Sequence, residues 1–389
     1  MGEAGRIYLD HNATAPLRPD VLEAMVPYFR ERQGNPSSPG LSGRLAKEAI
    51  ARARSEVAGL IGAKPEEIVF TSGCTESIHQ AILGAIELAS DRPRIVSTEI
   101  EHPSTALLLE RLESRGVDVV RLPVDWQGRL DLGRLAEDGL APPALLSLVW
   151  VNNETGVVSP VEEAVALAKE RALLCHLDAA QAAGRIPIDA RALPFDLLSF
   201  SAHKLGGPKG IGALFIRKGI RLPSLLCGHQ ERGRRGGTEN VAAIVGFGVA
   251  ARLAASGLAE RADKMRRLRD RLEEEILRSL PNALVHGRSS PRVGNTSSIR
   301  FGRIEGEELL ARLERRGIEA SLGSACSSGG AEPSRILLAM GLSVEEARAT
   351  LRFSLGEETT LEEIERAARG IVEEALSLTE PQSGGSRAE

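Results

Sequence analysis

Apolar residues recur along the chain in short blocks, each followed by a longer stretch with helical spacing. Glu67-Ile68-Val69-Phe70-Thr71-Ser72 predicts a strand, and Ile78, Ile82 and Ile86, four apart from Glu76 onward, predict a helix. The alternation continues with strands over 94–97, 117–122, 144–151 and 173–178, and with helices over 105–115, 132–137 and 161–171. Further strands are predicted over 196–200 and 211–216. This rhythm predicts an α/β fold with a mainly parallel sheet and helices on both faces, and it puts reactive groups at strand C-termini. Residues 241–280 read as one long connecting helix, first apolar and then rich in arginine and glutamate. Strands over 295–301, 318–321 and 348–354, with helices over 305–315 and 361–378, predict a smaller α+β domain. The expected division is a large domain over 15–255, a small one over 1–14 and 256–380, and a disordered tail over 381–389.

Four polar clusters fall at predicted strand ends. Ser201-Ala202-His203-Lys204-Leu205-Gly206-Gly207-Pro208-Lys209-Gly210 follows the run 196–200. A lysine at the end of a buried strand loses hydration, which depresses its pKa and yields an amine nucleophile; a solvated surface turn is the plain alternative. Only seven of the 49 basic residues are lysine, so one in this place points to amine chemistry that arginine cannot supply. His102, in Glu99-Ile100-Glu101-His102-Pro103, reads as a structural loop histidine or as a group facing a ligand ring. Asn153, in Asn152-Asn153-Glu154-Thr155-Gly156, can donate an amide hydrogen. Asp178, in Asp178-Ala179-Ala180-Gln181, is either an N-cap or a carboxylate that keeps a pyridine nitrogen protonated. Gly73-Cys74-Thr75 stands between strand and helix as a cap or as a phosphate cup, since a helix N-terminus offers free N–H groups. Cup, aspartate, amide, histidine and strand-end lysine are together the parts that pyridoxal phosphate needs.

A second centre lies at Gly323-Ser324-Ala325-Cys326-Ser327-Ser328-Gly329-Gly330. A cysteine with only small and polar neighbours has nothing to pack with, which predicts an exposed, reactive thiol on a backbone free to swing. Cys74, Cys175 and Cys227 show neither pairing nor metal-ligand spacing and read as reduced thiols, so no metal site is expected. The basic, glycine-rich run Gly228-His229-Gln230-Glu231-Arg232-Gly233-Arg234-Arg235-Gly236-Gly237-Thr238 is an exposed turn or an anion clamp. Arg352, on a strand, is an ordinary ion-pair partner or a carboxylate fork.

Composition narrows the class only a little. At 389 residues the chain fits two domains sharing an interface, and 42% hydrophobic with 26% charged residues is ordinary for a globular protein. A net charge of −4 argues against direct nucleic-acid binding by phosphate neutralisation. No apolar run reaches membrane-spanning length and Met1-Gly2-Glu3-Ala4-Gly5-Arg6 has no signal-like apolar region. A cytoplasmic protein with no membrane contact is expected.

The motifs quoted above, together with Tyr8-Leu9-Asp10-His11-Asn12-Ala13-Thr14 and Gly34-Asn35-Pro36-Ser37-Ser38, resemble the cysteine desulfurases of the class V aminotransferase group. The likeness runs in order from Tyr8 to Leu355 and is to the mobile-loop type that feeds iron–sulfur cluster assembly. It implies the aspartate-aminotransferase-like fold (PLP fold type I), with pyridoxal 5'-phosphate carried on Lys204. It further implies Asp178 at the ring nitrogen, Asn153 and Gln181 at the phenolate oxygen, and Thr75, Ser201 and His203 at the phosphate. His102 would stack on the ring and shuttle protons, and Thr238 would reach the phosphate of the partner subunit in a homodimer. Arg352 and Asn153 would hold the substrate. Cys326 would take the sulfur of L-cysteine as a persulfide, release L-alanine, and pass sulfur to an acceptor such as an iron–sulfur scaffold or into a thiolation pathway. An aminotransferase or lyase of the same fold, or a selenocysteine lyase, is the alternative. Three positions depart from the pattern: Gly40 stands where the family often has histidine, and Cys227 and His229 where it has glycine.

Overall fold

Each apolar block that predicts a strand before residue 220 forms one in the computed structural model, which describes residues 5–89, 93–133, 135, 144–323 and 332–379. After a two-residue strand β1 (Ile7–Tyr8) come β2 (Ile68–Thr71), β3 (Arg94–Thr98), β4 (Asp118–Leu122) and β5 (Ala144–Val149). Then follow β6 (Leu174–Asp178), β7 (Leu197–Ser201) and β8 (Gly212–Ile216). Strands β2 to β8 make one seven-stranded sheet in the order β2-β8-β7-β6-β5-β3-β4, parallel except for β8. β2, β7 and β8 are buried along their whole length, as their nearly unbroken apolar runs require of a sheet covered on both faces. Alternate residues feed different cores: Phe70, Leu198, Phe200 and Phe215 enter the largest cluster, while Val69, Leu197, Leu214 and Ile216 pack on Ala81 of helix Cys74–Leu88.

This topology gathers the strand ends. Gly212, the first residue of β8, pairs with Thr71 at the end of β2 and with Ser201 at the end of β7. β8 runs antiparallel to both, so the ends of β2, β3, β5, β6 and β7 share one edge. Gly212 is needed for its lack of a side chain, because a Cβ there would lie 2.5 Å from the Gly73 carbonyl carbon.

The remaining strands are β9 (Ala283–Val285), β10 (Thr296–Phe301), β11 (Ile318–Glu319) and β12 (Thr350–Ser354). β9, β10 and β12 form an antiparallel sheet, and β1 pairs with β11. They enclose a second core that includes Leu272, Ile276, Ile299, Leu351 and Phe353 and takes in Ile7 and Leu9 from the chain's opening segment. Two predicted elements differ. The helix over 241–280 is broken into Val241–Ala255 and Leu258–Ser279, bent by 74°, with Gly257 in the left-handed region at φ 62°. The apolar half belongs to the first core and the charged half turns Leu268, Leu272 and Ile276 into the second, so the bend falls where the chain changes cores. The strand over 348–354 starts two residues late, because Ser343 and Glu346 form a capping box that holds Val344–Arg348 helical. Of the predicted helix over 132–137, residues 134, 136 and 137 lie outside the described residues, as does the tail.

Candidate active site

A cavity of about 450 Å³ opens at the shared strand edge. It is lined by Thr75, His102, Asn153, Asp178, Gln181, Ser201, His203 and Lys204, eight groups brought together from five separate stretches of sequence. Lys204 lies in a short 3-10 turn, Ala202–Leu205, directly after β7, and Gly206 at φ 73° closes that turn. Its amine donates to the carbonyls of Asn12 and Ala13, the latter at 2.8 Å. Burial, then the positive charges of Arg185 and Arg352, push its pKa down to about 7. About half of a group with that pKa is the free amine at neutral pH.

Asp178 closes β6 and is 4% exposed. One carboxylate oxygen accepts from the Ala180 N–H at 2.9 Å and from the Cys74 thiol at 3.5 Å. Burial pushes its pKa up, so a cation placed against it would be strongly favoured. Cys74 lines the same cavity, and burial, with Asp178 next in effect, raises its thiol well above the ordinary value. It therefore stays a thiol.

His102 is the N-cap of helix Pro103–Glu113, and its Nδ1 accepts from the Ser104 N–H at 3.1 Å. An accepting Nδ1 means that the neutral ring carries its proton on Nε2. The ring is reachable from the cavity mouth, yet the protein around it lowers its pKa by desolvation. His203 is pushed down to about 4, first by burial and then by Lys204, and its Nδ1 lies 3.2 Å from the Thr14 hydroxyl. Two polar atoms at the cavity are buried without a partner among the described residues: Ser201 Oγ and Asn153 Oδ1. Buried polar atoms are costly unless something bonds to them.

Thr238 lies elsewhere. It borders an adjacent cavity of about 230 Å³ that shares Ser72, Gly210 and Ile211 with the first. The three arginines of its loop are anchored within the chain. Arg232 donates to the carbonyls of Glu66 and Ile68, Arg234 to that of Glu66, and Arg235 pairs with Glu76 at 2.9 Å. Glu231 and Arg232 sit in the left-handed region at φ 48° and 61°, a strain of about 1–3 kcal/mol each. Arg54 holds Glu231 through two 2.6 Å bonds, and the Phe70 N–H donates to the same carboxylate. Arg54→Ala should therefore lower stability in denaturant unfolding by about 3–5 kcal/mol, the cost of stranding a buried charge. The departures Cys227 and His229 flank the glycine that matters: a Cβ on Gly228 would lie 2.5 Å from Gly236 Cα. Gly40 serves as the N-cap of helix Leu41–Leu60.

Arg352 is 4% exposed on β12 and reaches Asp10 at 2.7 Å and the Asn153 carbonyl at 3.1 Å, while its Nε has no partner among the described residues. It exchanges backbone hydrogen bonds with Ser321, two residues before Gly323. Cys326 lies outside the described residues. Glu154 accepts from Ser334 at 2.5 Å and would crowd a Cβ on Gly323, so one carboxylate touches the chain on both sides of the segment 324–331.

Three residues that do not line the cavity, and that the sequence does not single out as site residues, lie behind it. Asn12 bonds Asn153, Thr296, Asn295 and Ser354 and so ties the opening segment to both cores. Glu101 is buried, its pKa raised to about 8 by desolvation, with one oxygen bonded to Thr98 and the Val149 N–H. Arg185 bonds Gln181.

An open α/β sheet with a neutral-prone lysine, a buried carboxylate and orphaned polar atoms converging at its strand ends defines an enzyme built for amine chemistry. The Aminotransferase class-V pattern matches residues 7–367. A cysteine desulfurase from Nostoc sp. is 45% identical over 361 residues, 92% of this chain and 90% of that protein. A solved NifS-like protein superposes with a TM-score of 0.89 at 35% identity, covering 96% of this chain and 99% of that one. The solved structure of SspA in complex with cysteine matches at 33% identity and a TM-score of 0.79, covering 91% and 99%. The chain belongs to the class-V aminotransferase family, within its cysteine desulfurases, and has the aspartate-aminotransferase-like fold.

Proposed function

We propose that the chain takes sulfur from L-cysteine with pyridoxal 5'-phosphate on Lys204, releasing L-alanine and leaving a persulfide on Cys326 for transfer to an acceptor protein. The observation that carries this is the cavity itself: a lysine amine held near neutrality beside a buried carboxylate and two unpartnered polar atoms. Those residues fit the cofactor. Ser201 Oγ, Thr75 and His203 would hold its phosphate at the start of helix Cys74–Leu88, whose first N–H groups and positive dipole end favour an anion. Asp178 would face the ring nitrogen, Asn153 and Gln181 the phenolate oxygen, and His102 the ring face. When bound, pyridoxal phosphate supplies an aldehyde that condenses with amines and a cationic ring that accepts an electron pair.

The chain's own groups do the rest. Lys204, once free, is the base for the proton on the substrate Cα, a task for which a pKa near 7 is well matched. Arg352 holds the substrate carboxylate, aided by Asn153, and fixes which way its side chain points. His102, with its exchangeable proton on Nε2, delivers or receives a proton at the substrate. Cys326 acts as a thiolate: its sulfur bonds the substrate sulfur, the substrate's carbon–sulfur bond breaks, and a proton returns to that carbon to complete alanine.

The reading includes a homodimer. Phe29, Leu41, Leu22 and Leu45 are 69%, 64%, 49% and 49% exposed on helices Pro19–Arg30 and Leu41–Leu60, an apolar surface that a second copy would cover. Thr238 would then serve the partner's phosphate. Among the described residues no single helix is long and apolar enough to cross a membrane. The test is incubation with L-cysteine, sizing of the active species, and mass spectrometry of cysteine peptides. Equimolar alanine and one added sulfur on the Cys326 peptide, from a species of two chains, is the expected result. Release of pyruvate or a keto acid without that sulfur would point to a lyase or aminotransferase instead.

A further inference from the structure

Arg185 does not line the cavity but is bonded to Gln181, which does, and it has no acidic partner among the described residues. Among the described residues its guanidinium bonds only Gln181, at the backbone carbonyl (3.1 Å) and the side-chain oxygen, and the neighbouring charge that lowers its own pKa is that of Arg352. Burial, then Arg352, pushes its pKa down to about 9, which leaves it charged at neutral pH. A guanidinium can only donate hydrogen bonds, so the Gln181 atom it touches must be the oxygen. The other end of that amide donates to the Asn12 carbonyl at 3.0 Å, which can only accept. Both contacts demand the same orientation. One amide hydrogen of Gln181 then remains, and Gln181 lines the cavity.

The same turn is pressed against the lysine. Gly184, at φ 72°, lies so near Leu205 that a Cβ would sit 2.6 Å from its Cδ2, which brings the backbone before Arg185 against the residue after Lys204. We propose that Arg185 is a positioning residue for this site: it locks the Gln181 amide with one N–H free at the cavity, and it sets a positive charge beside the turn that carries Lys204. The charged groups around that amine are Arg185 and Arg352, which repel its proton, and Asp10, which opposes them. Asp178, His102 and His203 feel the lysine in turn. Arginine suits both tasks because its guanidinium stays charged while one nitrogen, Nη1, gives its hydrogens to both oxygens of Gln181.

The inference rests on the cofactor reading, so its test uses two readouts that need no turnover. The first is the pH midpoint for reductive methylation of Lys204 in the apoprotein, followed on its peptide. The second is binding of 4'-deoxypyridoxine 5'-phosphate, which keeps the phenolate and phosphate but has no aldehyde. Arg185→Gln should move the Lys204 midpoint up by about one pH unit, as loss of a nearby charge requires. Arg185→Lys should keep the midpoint near wild type yet bind the analogue about fivefold more weakly, because the shorter side chain does not carry its ammonium to where Nη1 meets both Gln181 oxygens. Should the glutamine variant fail to fold, Arg185→His replaces it, being neutral where Lys204 titrates. Wild-type protein that does not bind the analogue would sink the cofactor reading. Wild-type binding with both readouts unmoved in folded variants would overturn the role of Arg185, and movement of one alone would overturn the half tied to the other.

Discussion

Cys326→Ala should lower alanine release from L-cysteine by at least about a thousandfold while leaving cofactor and substrate binding intact, because only the step that takes up sulfur loses its nucleophile. The measurement is alanine formation in single turnover beside a spectroscopic titration with L-cysteine, and the titration should be unchanged. The rival inside the site is Cys74, which borders the cavity and lies 3.5 Å from Asp178. Its position favours the role, but its chemistry does not. Burial and a neighbouring carboxylate both disfavour the thiolate, so Cys74 is protonated where a nucleophile must not be. Cys175 is fully buried, its thiol likewise raised by desolvation. If Cys326→Ala still yields alanine at the normal rate, or if the added sulfur maps to Cys74, the assignment of the nucleophile is wrong.

Lys204→Ala should cost about as much, in the range of a thousandfold or more, and Lys204→Arg should not restore activity. Arginine keeps a positive charge but cannot condense with an aldehyde. Borohydride treatment of the cofactor-loaded wild type should place the pyridoxyl group on Lys204, although Lys209 lines the same cavity and is exposed. The pH dependence is the sharper claim. With the amine lowered to about 7, cofactor uptake by the apoprotein should fall tenfold for each pH unit below 7 and level off above about 8. An unperturbed lysine would still be gaining rate at pH 9–10. Uptake that rises steadily through that range, or an adduct on Lys209, would defeat the assignment.

Local signals are reliable where one short stretch completes a structural unit. The run at 67–72, the helix spacing after Glu76 and the turn at Gly73 need no distant partner to be read, and each forms as expected. The same holds for Lys204, where a buried apolar run meets glycines. The basic loop at 228–240 shows the opposite. Its three arginines read in sequence as an exposed turn or an anion clamp, and in the structure they donate to the carbonyls of Glu66 and Ile68 and to the Glu76 carboxylate. Charge alone does not say whether a guanidinium finds its acceptors inside the protein or outside it.

By itself, then, the sequence determined the alternation of strand and helix, the strand-end positions of Asp178 and Lys204, and the cysteine set among glycine and serine, because hydrophobic period and turn chemistry are properties of neighbouring residues. Only the tertiary structure decided that Asn12 would bind the lysine amine and both cores, and that the helix over 241–280 would break where it changes cores. It also decided that Arg185 and Arg352, distant from Lys204 in the chain, would repel its proton. A pKa depends on which charges share a poorly solvated space, and that sharing is set by long-range packing rather than by any local pattern.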